Sequence, residues 1–454
     1  MAPPVSLWSV LRGRKVDPYA RFSALRERHG DVARYRFALR DGFFVSSAEG
    51  AKRILQDNAQ NYDKEHPSYR MLRRLLGNGL LTSEGDFWLR QRRLAQPSFQ
   101  RERIASMSAS MTAAALEAAD RWDRSAASGA PLSIAREMSR LTLRIVGDAL
   151  FGSALAEEGA AVSASWEVLN AQLSERAAKL RLLPPILPTK YDGEFRRARR
   201  VLFEVVDEIV RAKRASSAGA PDLLTALMQA VDADTGERMT DAQLRDEVVT
   251  MLLAGHETTA ITLTWAWARL ALHPPVAEAL HAELDRVLEG RAPTAEDIAR
   301  LPYTRGLVNE TLRLHSPAYI INRRVRADDV VAGHRIYRGG SIVLSPLVLH
   351  RHPAYWDRPD TFDPARWLDR DDERRRPKFA FIPFSAGPRQ CIGNHFSMME
   401  SMLVLATLAQ RFAPRLVAGH LPATEYLVLA RPAGAVSARI EARRPAVDRA
   451  RSSA

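Results

Sequence analysis

The sequence predicts a mainly α-helical protein with small β-sheets (α+β), and three features of the chain lead to that prediction. A helical pattern of about 33 residues runs from Thr240 to His273, far longer than an average helix. Strand-like segments occur in only a few places, chiefly 32–46, 324–345 and 426–440. Strands and helices do not alternate regularly, as they would in a doubly wound α/β fold.

The long helical segment has clear start and stop signals. Thr240 and Gln243 fit the capping box that opens many helices, and Pro274-Pro275 ends the segment. At 1.5 Å per residue it would extend over roughly 50 Å, so it would cross a whole domain and its middle would be buried. Shorter helices are predicted over residues 130–150, 194–216 and 394–411.

Turn signals divide the strand-like segments. Asp41-Gly42 indicates a turn within 32–46, and a final hairpin is predicted around Pro432 and Gly434.

Composition limits the class of protein. With 454 residues, 46% of them hydrophobic, the chain is long enough for a sizeable core. It contains one cysteine, so no intrachain disulfide can form, and a reducing compartment is expected. The apolar stretch within Met1–Val10 is far shorter than the roughly 20 residues of a membrane span, and the order of regions does not suit a signal peptide. We therefore expect a cytoplasmic protein.

The chain is strongly basic, with a formal net charge of +13 that comes mostly from arginine. This charge indicates either attraction to an acidic partner or a compositional bias spread over solvated helix faces. No nucleic-acid-binding motif accompanies it, and aromatic residues make up only 7% of the chain, which argues against nucleic acid as the partner.

Small and polar residues occupy the middle of the long helical segment, Ala254-Gly255-His256-Glu257-Thr258-Thr259. Gly costs about 1 kcal/mol relative to Ala in a helix, and Thr can divert backbone hydrogen bonds, so this composition conflicts with helix stability. Such conflicts are expected at functional sites, where Ala254 and Gly255 would let a flat ligand approach and Glu257 and Thr258 would pass protons. The alternative is a solvent-facing polar turn. A zinc-protease motif is excluded because the second histidine it needs is Ala260.

The cysteine stands in a loop of ten residues, Phe384-Ser385-Ala386-Gly387-Pro388-Arg389-Gln390-Cys391-Ile392-Gly393. A lone cysteine is usually an inert core residue. Cys391, however, follows Arg389 closely and precedes the helix predicted from Asn394, where backbone amides and positive charge would favour a thiolate. One cysteine without a histidine cluster argues against zinc, and a single thiolate suits a haem iron better.

This loop resembles the haem-binding loop of the cytochrome P450 family, and Phe384, Gly387, Arg389, Cys391 and Gly393 match each of its fixed positions. The resemblance covers nearly the whole chain. It implies one P450 domain of the soluble bacterial type over residues 1–454, with a helical and a small β subdomain and a frayed tail over 443–454. It also implies haem b, with Cys391 as the axial ligand of the iron and the long helix over the haem.

Further landmarks of the family follow in the correct order. Glu310-Thr311-Leu312-Arg313 resembles its Glu-x-x-Arg helix, whose acid and arginine, three residues apart, share one helix face. The resemblance implies a buried structural network of Glu310 and Arg313 with Arg366 from the Pro364–Trp367 segment. The ordinary alternative is an exposed helix pair of little energetic consequence.

Positive side chains are expected around the two haem propionates. Trp88-Leu89-Arg90-Gln91-Arg92 resembles the family's Trp-x-x-x-Arg helix, so Trp88 and Arg92 are expected there, together with Arg389 and Arg324. Arg323 is adjacent to Arg324 and is an alternative to it. Without the resemblance, Trp88 and Arg92 would be ascribed to packing and solvent.

The resemblance implies a monooxygenase that activates dioxygen and inserts one oxygen atom into a hydrophobic organic substrate. The Cys391 thiolate would push electron density towards the iron, while Glu257 and Thr258 would deliver protons. Electrons from NAD(P)H would arrive through an external ferredoxin or flavodoxin with its reductase, since one cysteine cannot hold an iron–sulfur cluster. Six basic residues are expected to attract such acidic partners: Arg90, Arg93, Arg374, Arg375, Arg376 and Lys378.

Substrate contacts are expected from four segments: 62–87, 174–195, 317–321 and 427–436. Their apolar residues indicate a fatty acid, terpenoid, steroid or polyketide-like substrate. Two alternatives remain open. One is a peroxide-using or rearranging haem-thiolate enzyme, against which the pair Glu257-Thr258 argues. The other is a haem sensor or binding protein without catalytic activity.

Overall fold

The structure is a computed structural model, and it describes residues 5–6, 17–37, 40–152, 162, 164–166, 168–169, 172, 192–215 and 222–443. The α-helices of this part of the chain are α1 (Pro18–His29), α2 (Ala48–Lys52), α3 (Pro67–Leu76), α4 (Gly85–Ala95), α5 (Arg101–Ser106), α6 (Ser108–Ser128), α7 (Ile134–Phe151), α8 (Asp192–Ala215), α9 (Leu223–Gln229), α10 (Asp241–Leu272), α11 (Pro274–Leu288), α12 (Pro302–Leu314), α13 (Pro346–Leu349), α14 (Arg370–Arg375) and α15 (Asn394–Ala409).

The strands are short by comparison: β1 (Val5–Ser6), β2 (Val32–Phe37), β3 (Arg40–Val45), β4 (Tyr62–Asp63), β5 (Leu132–Ser133), β6 (Ile321–Val325), β7 (Asp329–Val331), β8 (His334–Ile336), β9 (Ser341–Leu344), β10 (Phe412–Leu416), β11 (Thr424–Tyr426), β12 (Ala430–Pro432) and β13 (Ser437–Ala442). The predicted fold class, mainly α with small sheets, is confirmed. The chain divides into two compact units, and the expectation of a single domain over residues 1–454 stays a prediction.

The first unit comprises Met1–Leu72, Glu310–Phe362 and Asp369–Cys391. Its main sheet has the strand order β1-β2-β3-β9-β6-β4, in which β3 and β9 pair in parallel while β2–β3, β9–β6 and β6–β4 are antiparallel. Side chains of a strand alternate between the two faces of its sheet. In β3 this places Phe43 and Val45 in one apolar cluster and Phe44 in another, so both faces of the sheet are buried here.

The predicted turn at Asp41-Gly42 is wrong, because both residues lie inside β3 and pair with Arg36 and Tyr35 of β2. A Cβ atom at Gly42 would lie 2.2 Å from the Tyr35 ring. Glycine is therefore needed at this position for the close approach of an aromatic ring, not for a turn.

The second unit comprises Arg73–Asn309, Asp363–Leu368 and Ile392–Ala454. It is dominated by α10, which packs against α7, while α15 packs against α6. A cluster of large aromatic side chains joins these layers: the Trp122 ring lies 4.9 Å from that of Trp267 and 5.6 Å from that of Phe412. The final hairpin consists of β11 and β12, and β13 pairs instead with β10, so Pro432 lies in a strand and not at the predicted turn.

Helix α10 confirms the prediction of one long helix. The Thr240 hydroxyl accepts from the Gln243 N–H, and the Gln243 side chain accepts from the Thr240 N–H, which completes the capping box. Its 32 residues give a length of about 48 Å. Most of its residues are buried on all sides, as expected of a helix that passes through the interior. No helix in the described ranges is both long and apolar enough to cross a membrane.

Candidate active site

Backbone contacts hold the Cys391 loop in a fixed shape. The Cys391 N–H donates to the Phe384 carbonyl at 2.9 Å, which closes the loop at the first of its matched positions. Ser385 and Gly387 have positive φ angles of 57° and 67°, so the chain turns sharply between them. Cys391 itself is exposed. The thiol is therefore accessible on a loop whose backbone is held by these contacts.

Glycine is required at position 387 because the backbone of Leu55 lies very close to it. A Cβ atom there would lie 1.8 Å from the carbonyl oxygen of Leu55, and no side-chain rotation relieves a clash with backbone. Arg389 is half-buried at the end of a short 3₁₀ turn over Gly387–Arg389, and Gly393 is the N-cap residue of α15. Gly387 thus has an observable structural function in shaping this loop.

The middle of α10 has an open face. Ala254 is exposed and Thr258, one turn later, is half-buried, although Leu253, Glu257 and Thr259 are buried. The Thr258 hydroxyl donates to the Ala254 carbonyl at 2.7 Å. The proton of that hydroxyl is therefore committed to the helix, and its lone pairs remain as acceptors on the open side.

Gly255 also has a close neighbour within the protein. A Cβ atom at this position would lie 3.3 Å from a methyl group of Val146 in α7. The next carbonyl, that of His256, accepts from the Thr142 hydroxyl of α7 at 3.0 Å. Gly255 therefore allows close packing of α7 on α10, in addition to any contact with a ligand.

Burial changes the protonation of Glu257. Desolvation raises the pKa of its carboxyl group to about 7, with the positive charge of Arg431 acting in the opposite direction. Arg431 belongs to β12, and its guanidinium also donates to Glu425 at 2.9 Å. A carboxyl group with a pKa near neutrality can both hold and release a proton at physiological pH.

The predicted cation sites near the propionates fall on three elements, one of which is the Gly387–Arg389 turn that contains Arg389. Trp88 and Arg92 lie one turn apart on α4 and are both half-buried, and the Arg92 side chain donates to Gln96 at 3.2 Å. Arg324 lies in β6 and forms a bidentate ion pair with Asp63, its cross-strand neighbour in β4, at 2.6 and 3.0 Å. Arg323 points to the other face of β6, where it is buried and donates to the Tyr69 hydroxyl at 3.2 Å.

Glu310 and Arg313 are brought together in α12 as a fully buried ion pair. The guanidinium donates twice to the carboxylate, at 2.8 Å each, and also to the carbonyls of His350, Pro359 and Thr361. Exposure of both side chains is 0%, which excludes the exposed-pair alternative. Arg366 lies half-buried in the 3₁₀ turn Pro364–Trp367 of the second unit, a turn that packs against Gly306 of α12.

Comparisons with known proteins identify the family. A sequence profile described as cytochrome P450 matches residues 2–432, almost the entire chain. The chain belongs to the cytochrome P450 family. It is similar to the cyclooctatin synthase of Streptomyces melanosporofaciens, with 35% identity over 421 residues, 92% of this chain and 89% of the relative. The cyclooctat-9-en-7-ol 5-monooxygenase of the same organism is 35% identical over 404 residues, 88% of this chain and 85% of the relative.

A third relative and a solved structure agree with this membership. The pentalenene oxygenase of Streptomyces avermitilis is 33% identical over 394 residues, which is 86% of each chain. The crystal structure of the cytochrome P450DA heme domain superposes with a TM-score of 0.87 at 27% identity, covering 98% of this chain and 99% of that one. The protein is therefore a cytochrome P450 monooxygenase with haem b as its cofactor, and its reaction requires an organic substrate, dioxygen and electrons from a redox partner.

The residues present suit a haem. Taken by itself, the first unit contains an exposed thiol on a loop held by backbone contacts. The second unit, also taken by itself, contains a helix in which the small residue Ala254 is exposed and Thr258 is half-buried. The sequence places Arg431 within the expected contact segment 427–436, but it does not indicate that this arginine lies close to Glu257. Sequence reasoning missed Glu400 of α15, which is fully buried beside Thr259, with burial raising the pKa of its carboxyl group well above the usual value.

The surface that was expected to attract acidic partners is smaller than the sequence suggests. Arg90 forms an ion pair with Glu237, and Arg93 donates twice to Asp232, whose side chain is buried. Arg376 is almost fully buried, stacks on the Trp356 ring at 3.9 Å and pairs with Asp372. Arg374 of the first unit, by contrast, keeps an exposed side chain and pairs with Asp371 at the surface. Arg90 and Arg93 of the second unit and Arg376 of the first are therefore less available to an acidic partner than the sequence suggests.

Proposed function

We propose that Cys391, as a thiolate, is the axial ligand of the haem iron. The observation that supports this most is the exposed thiol on a loop fixed by the Phe384 hydrogen bond and by the contact of Gly387 with Leu55. A thiolate ligand raises the electron density at the iron. Haem, when bound, supplies the metal chemistry that splits dioxygen and inserts one oxygen atom into a C–H or C=C bond.

Glu257 and Thr258 deliver protons in this proposal. The Thr258 hydroxyl donates to the Ala254 carbonyl, so on the open face of α10 its oxygen accepts hydrogen bonds from water or from a protonated ligand. Glu257 lies next to it in sequence with a pKa near 7, so its carboxyl oxygen can take a proton from solvent and release it again. Arg431 favours the ionised form and thereby keeps this exchange close to neutral pH.

The remaining site residues bind or support the cofactor. Trp88, Arg92, Arg389 and Arg324 are assigned to the haem carboxylates, since two negative charges need cationic and hydrogen-bonding partners. Close approach of the backbone to the haem is assigned to five residues of α10 and the Cys391 loop: Ala254, Gly255, Phe384, Gly387 and Gly393. Glu310 and Arg313, with Arg366, are structural: the buried pair fixes backbone carbonyls and has no exposed atom with which to act on a substrate.

A terpenoid substrate is proposed. The relatives named after cyclooctat-9-en-7-ol and pentalenene are oxygenases of this class of compound, and 86% or more of this chain aligns with each. The described parts of the four expected contact segments include half-buried apolar residues such as Leu80, Leu81 and Leu427. Most of 174–195, and residues 444–454 of the predicted tail, lie outside the described residues.

The redox partner is proposed to be an acidic ferredoxin or flavodoxin with its NAD(P)H-dependent reductase, acting in the cytoplasm. Exposed cations that remain available, such as Arg374, support an electrostatic encounter with such a protein. The two alternatives to a monooxygenase can be distinguished by experiment. A peroxide-using enzyme would form product without NAD(P)H and redox proteins, and a haem sensor would not consume dioxygen.

The test of the ligand assignment is Cys391→Ser, with Ser397→Ala in α15 as a control that leaves the loop intact. The serine variant is expected to lose the reduced-CO spectrum typical of thiolate-ligated haem, because a hydroxyl group does not ionise at neutral pH. The control is expected to keep it. A thiolate-type spectrum in Cys391→Ser would refute the assignment.

A further inference from the structure

The loop of residues 77–83, here called the Gly77–Ser83 loop, joins α3 to α4 and lies directly on the first half of α10. Its two glycines permit this contact. A Cβ atom at Gly77 would lie 2.2 Å from the Asp246 carboxylate, and one at Gly79 would lie 2.4 Å from the Thr250 hydroxyl oxygen and 2.7 Å from the Asp246 carbonyl. The loop backbone therefore follows the helix surface at van der Waals distance.

Two neighbouring acids of α10 accept from this loop. The Asn78 N–H donates to Asp246 at 2.8 Å, and the Leu80 N–H donates to Glu247 at 2.9 Å. The second oxygen of Glu247 accepts from the Gln91 amide of α4 at 3.2 Å. Glu247 is completely buried, so these bonds are shielded from water. One carboxylate thus connects α10, the loop and α4.

The position of Glu247 relates this connection to the open part of α10. Ala254 follows it by seven residues and Thr258 by eleven, which places all three on about the same helix face. The distance along the axis between Glu247 and Ala254 is about 10 Å. Glu247 holds the half-buried apolar pair Leu80-Leu81 through the Leu80 N–H. This pair therefore lies along the same face of α10 that is open at Ala254, two turns further along the helix.

The charge state of Glu247 determines how many of its bonds can form. Both oxygens of an ionised carboxylate accept, whereas a protonated carboxyl group turns one oxygen into a donor that faces an N–H group. Desolvation by burial raises the pKa of Glu247 to about 7, with the negative charge of Asp246 adding to the rise and the bonds from Leu80 and Gln91 opposing it. Asp246 in turn faces Arg245 of its own helix and Arg199 and Asp207 of α8.

We propose that Glu247 is a positioning residue for substrate. The ionised carboxylate of Glu247 holds Leu80-Leu81 against α10. Protonation of this carboxylate loosens that contact and weakens the binding of bulky apolar ligands. The inference deepens the proposed function, since it concerns ligand binding near the haem. It adds to the reaction a residue that need not touch substrate, haem or dioxygen. Because a raised folded-state pKa near 7 governs it, ligand affinity is expected to rise as pH increases through 7 and to level off above.

The first experiment measures the loop without any ligand. Hydrogen–deuterium exchange of the holoenzyme, corrected for the intrinsic pH dependence, reports the protection of the Leu80 and Leu81 amides between about pH 6 and 8. Protection is expected to increase about tenfold with pH, the effect of one hydrogen bond to a buried charge. Glu247→Gln is expected to remove this dependence, since an amide does not titrate in this range. It is also expected to keep protection at the lower level, since its amide can accept only one of the two bonds.

Two variants test the assignment of the titrating group. Asp246→Asn removes the neighbouring negative charge and is expected to move the midpoint to lower pH while retaining the pH dependence. Gln91→Met removes one donor to Glu247 and is expected to move the midpoint to higher pH. Glu257→Gln, which changes the other acid of α10 with a pKa near 7, is the matched control and leaves loop protection unchanged.

The second experiment uses azoles that coordinate haem iron, with clotrimazole as the bulky apolar probe and imidazole as the small one. At pH 8 the dissociation constant of clotrimazole is expected to be about tenfold higher in Glu247→Gln than in the unmodified enzyme, with imidazole within about twofold. Equal changes for both probes, or loop protection independent of pH in the unmodified enzyme, would overturn the proposal. Absence of any azole spectrum in the unmodified enzyme would instead contradict the proposed haem ligation, so the two failures can be distinguished.

Discussion

Replacing Arg313 with methionine is the most demanding test of how the first unit is held together. The guanidinium is completely buried, and it supplies two hydrogen bonds to Glu310 and one each to three backbone carbonyls. It also lies 5.0 Å from the Trp356 ring. Methionine would fill most of the volume but supply none of the donors.

The expected cost follows from these contacts. Leaving a buried charge without its partner costs about 3–5 kcal/mol, and each carbonyl that loses its donor adds about 1 kcal/mol. The total, about 6–8 kcal/mol, approaches the entire stability of an ordinary domain. We therefore expect Arg313→Met to yield almost no soluble protein that retains haem.

Two further variants make the reasoning quantitative. In the double variant Glu310→Leu/Arg313→Met the uncompensated charge is absent but the carbonyls still lack donors, so about 3 kcal/mol of destabilisation is expected to remain. The control is Arg335→Met, which removes an exposed arginine paired with Asp328 and is expected to cost less than about 1 kcal/mol. Urea midpoints and haem content of purified proteins measure these effects. If Arg313→Met unfolds at the same urea concentration as Arg335→Met, the assignment of a buried structural network is wrong.

Two further predictions concern the loop and the helix of the candidate site. Gly387→Ala is expected to abolish thiolate-type haem binding, because its Cβ would meet the Leu55 carbonyl at 1.8 Å. The control is Gly339→Ala. Gly339 has a similar φ of 78° but no atom within 4 Å of an added Cβ, so this variant is expected to lose only about 1 kcal/mol of stability. Equal haem content in the two alanine variants would contradict this view of the loop. Thr258→Ala is expected to bind haem normally but to release peroxide in place of product, whereas Thr262→Ala, a buried threonine of the same helix, stays coupled. Measured peroxide per NAD(P)H consumed decides between them, and equal coupling in both variants would remove Thr258 from the proton path.

Regular features of the fold could be predicted from the sequence because they depend on local chemistry. The capping box at Thr240 and the prolines after His273 define α10 to within a residue at each end. Close approaches between distant segments could not be predicted in this way. Gly42 accommodates the ring of Tyr35 and Gly255 accommodates Val146, and a glycine in the sequence does not indicate which neighbour requires it.

The same distinction applies to charge. Arg90 and Arg93 appear in the sequence as available cations, but ion pairs with Glu237 and Asp232 occupy them. Those partners are about 140 residues away, beyond the reach of any local pattern. The family assignment, by contrast, could be made from the sequence, because the Cys391 loop combines unusual backbone requirements within ten consecutive residues.

The threonines of α10 illustrate why a polar helix centre does not by itself identify a catalytic residue. Thr258, Thr259, Thr262 and Thr264 each donate to the carbonyl four residues earlier. Each hydroxyl thereby has a partner within the helix, which allows polar residues to be buried. Thr259 also lies 3.1 Å from the Ser397 hydroxyl of α15. Of these four, Thr258 differs because it is half-buried next to the exposed Ala254, while the others are almost completely buried. Thr258 is therefore a candidate for proton delivery because of its accessibility and not because of its hydrogen bond. The sequence points to Thr258 through the helix-centre pattern and the family resemblance, but it does not show which of these hydroxyls is accessible.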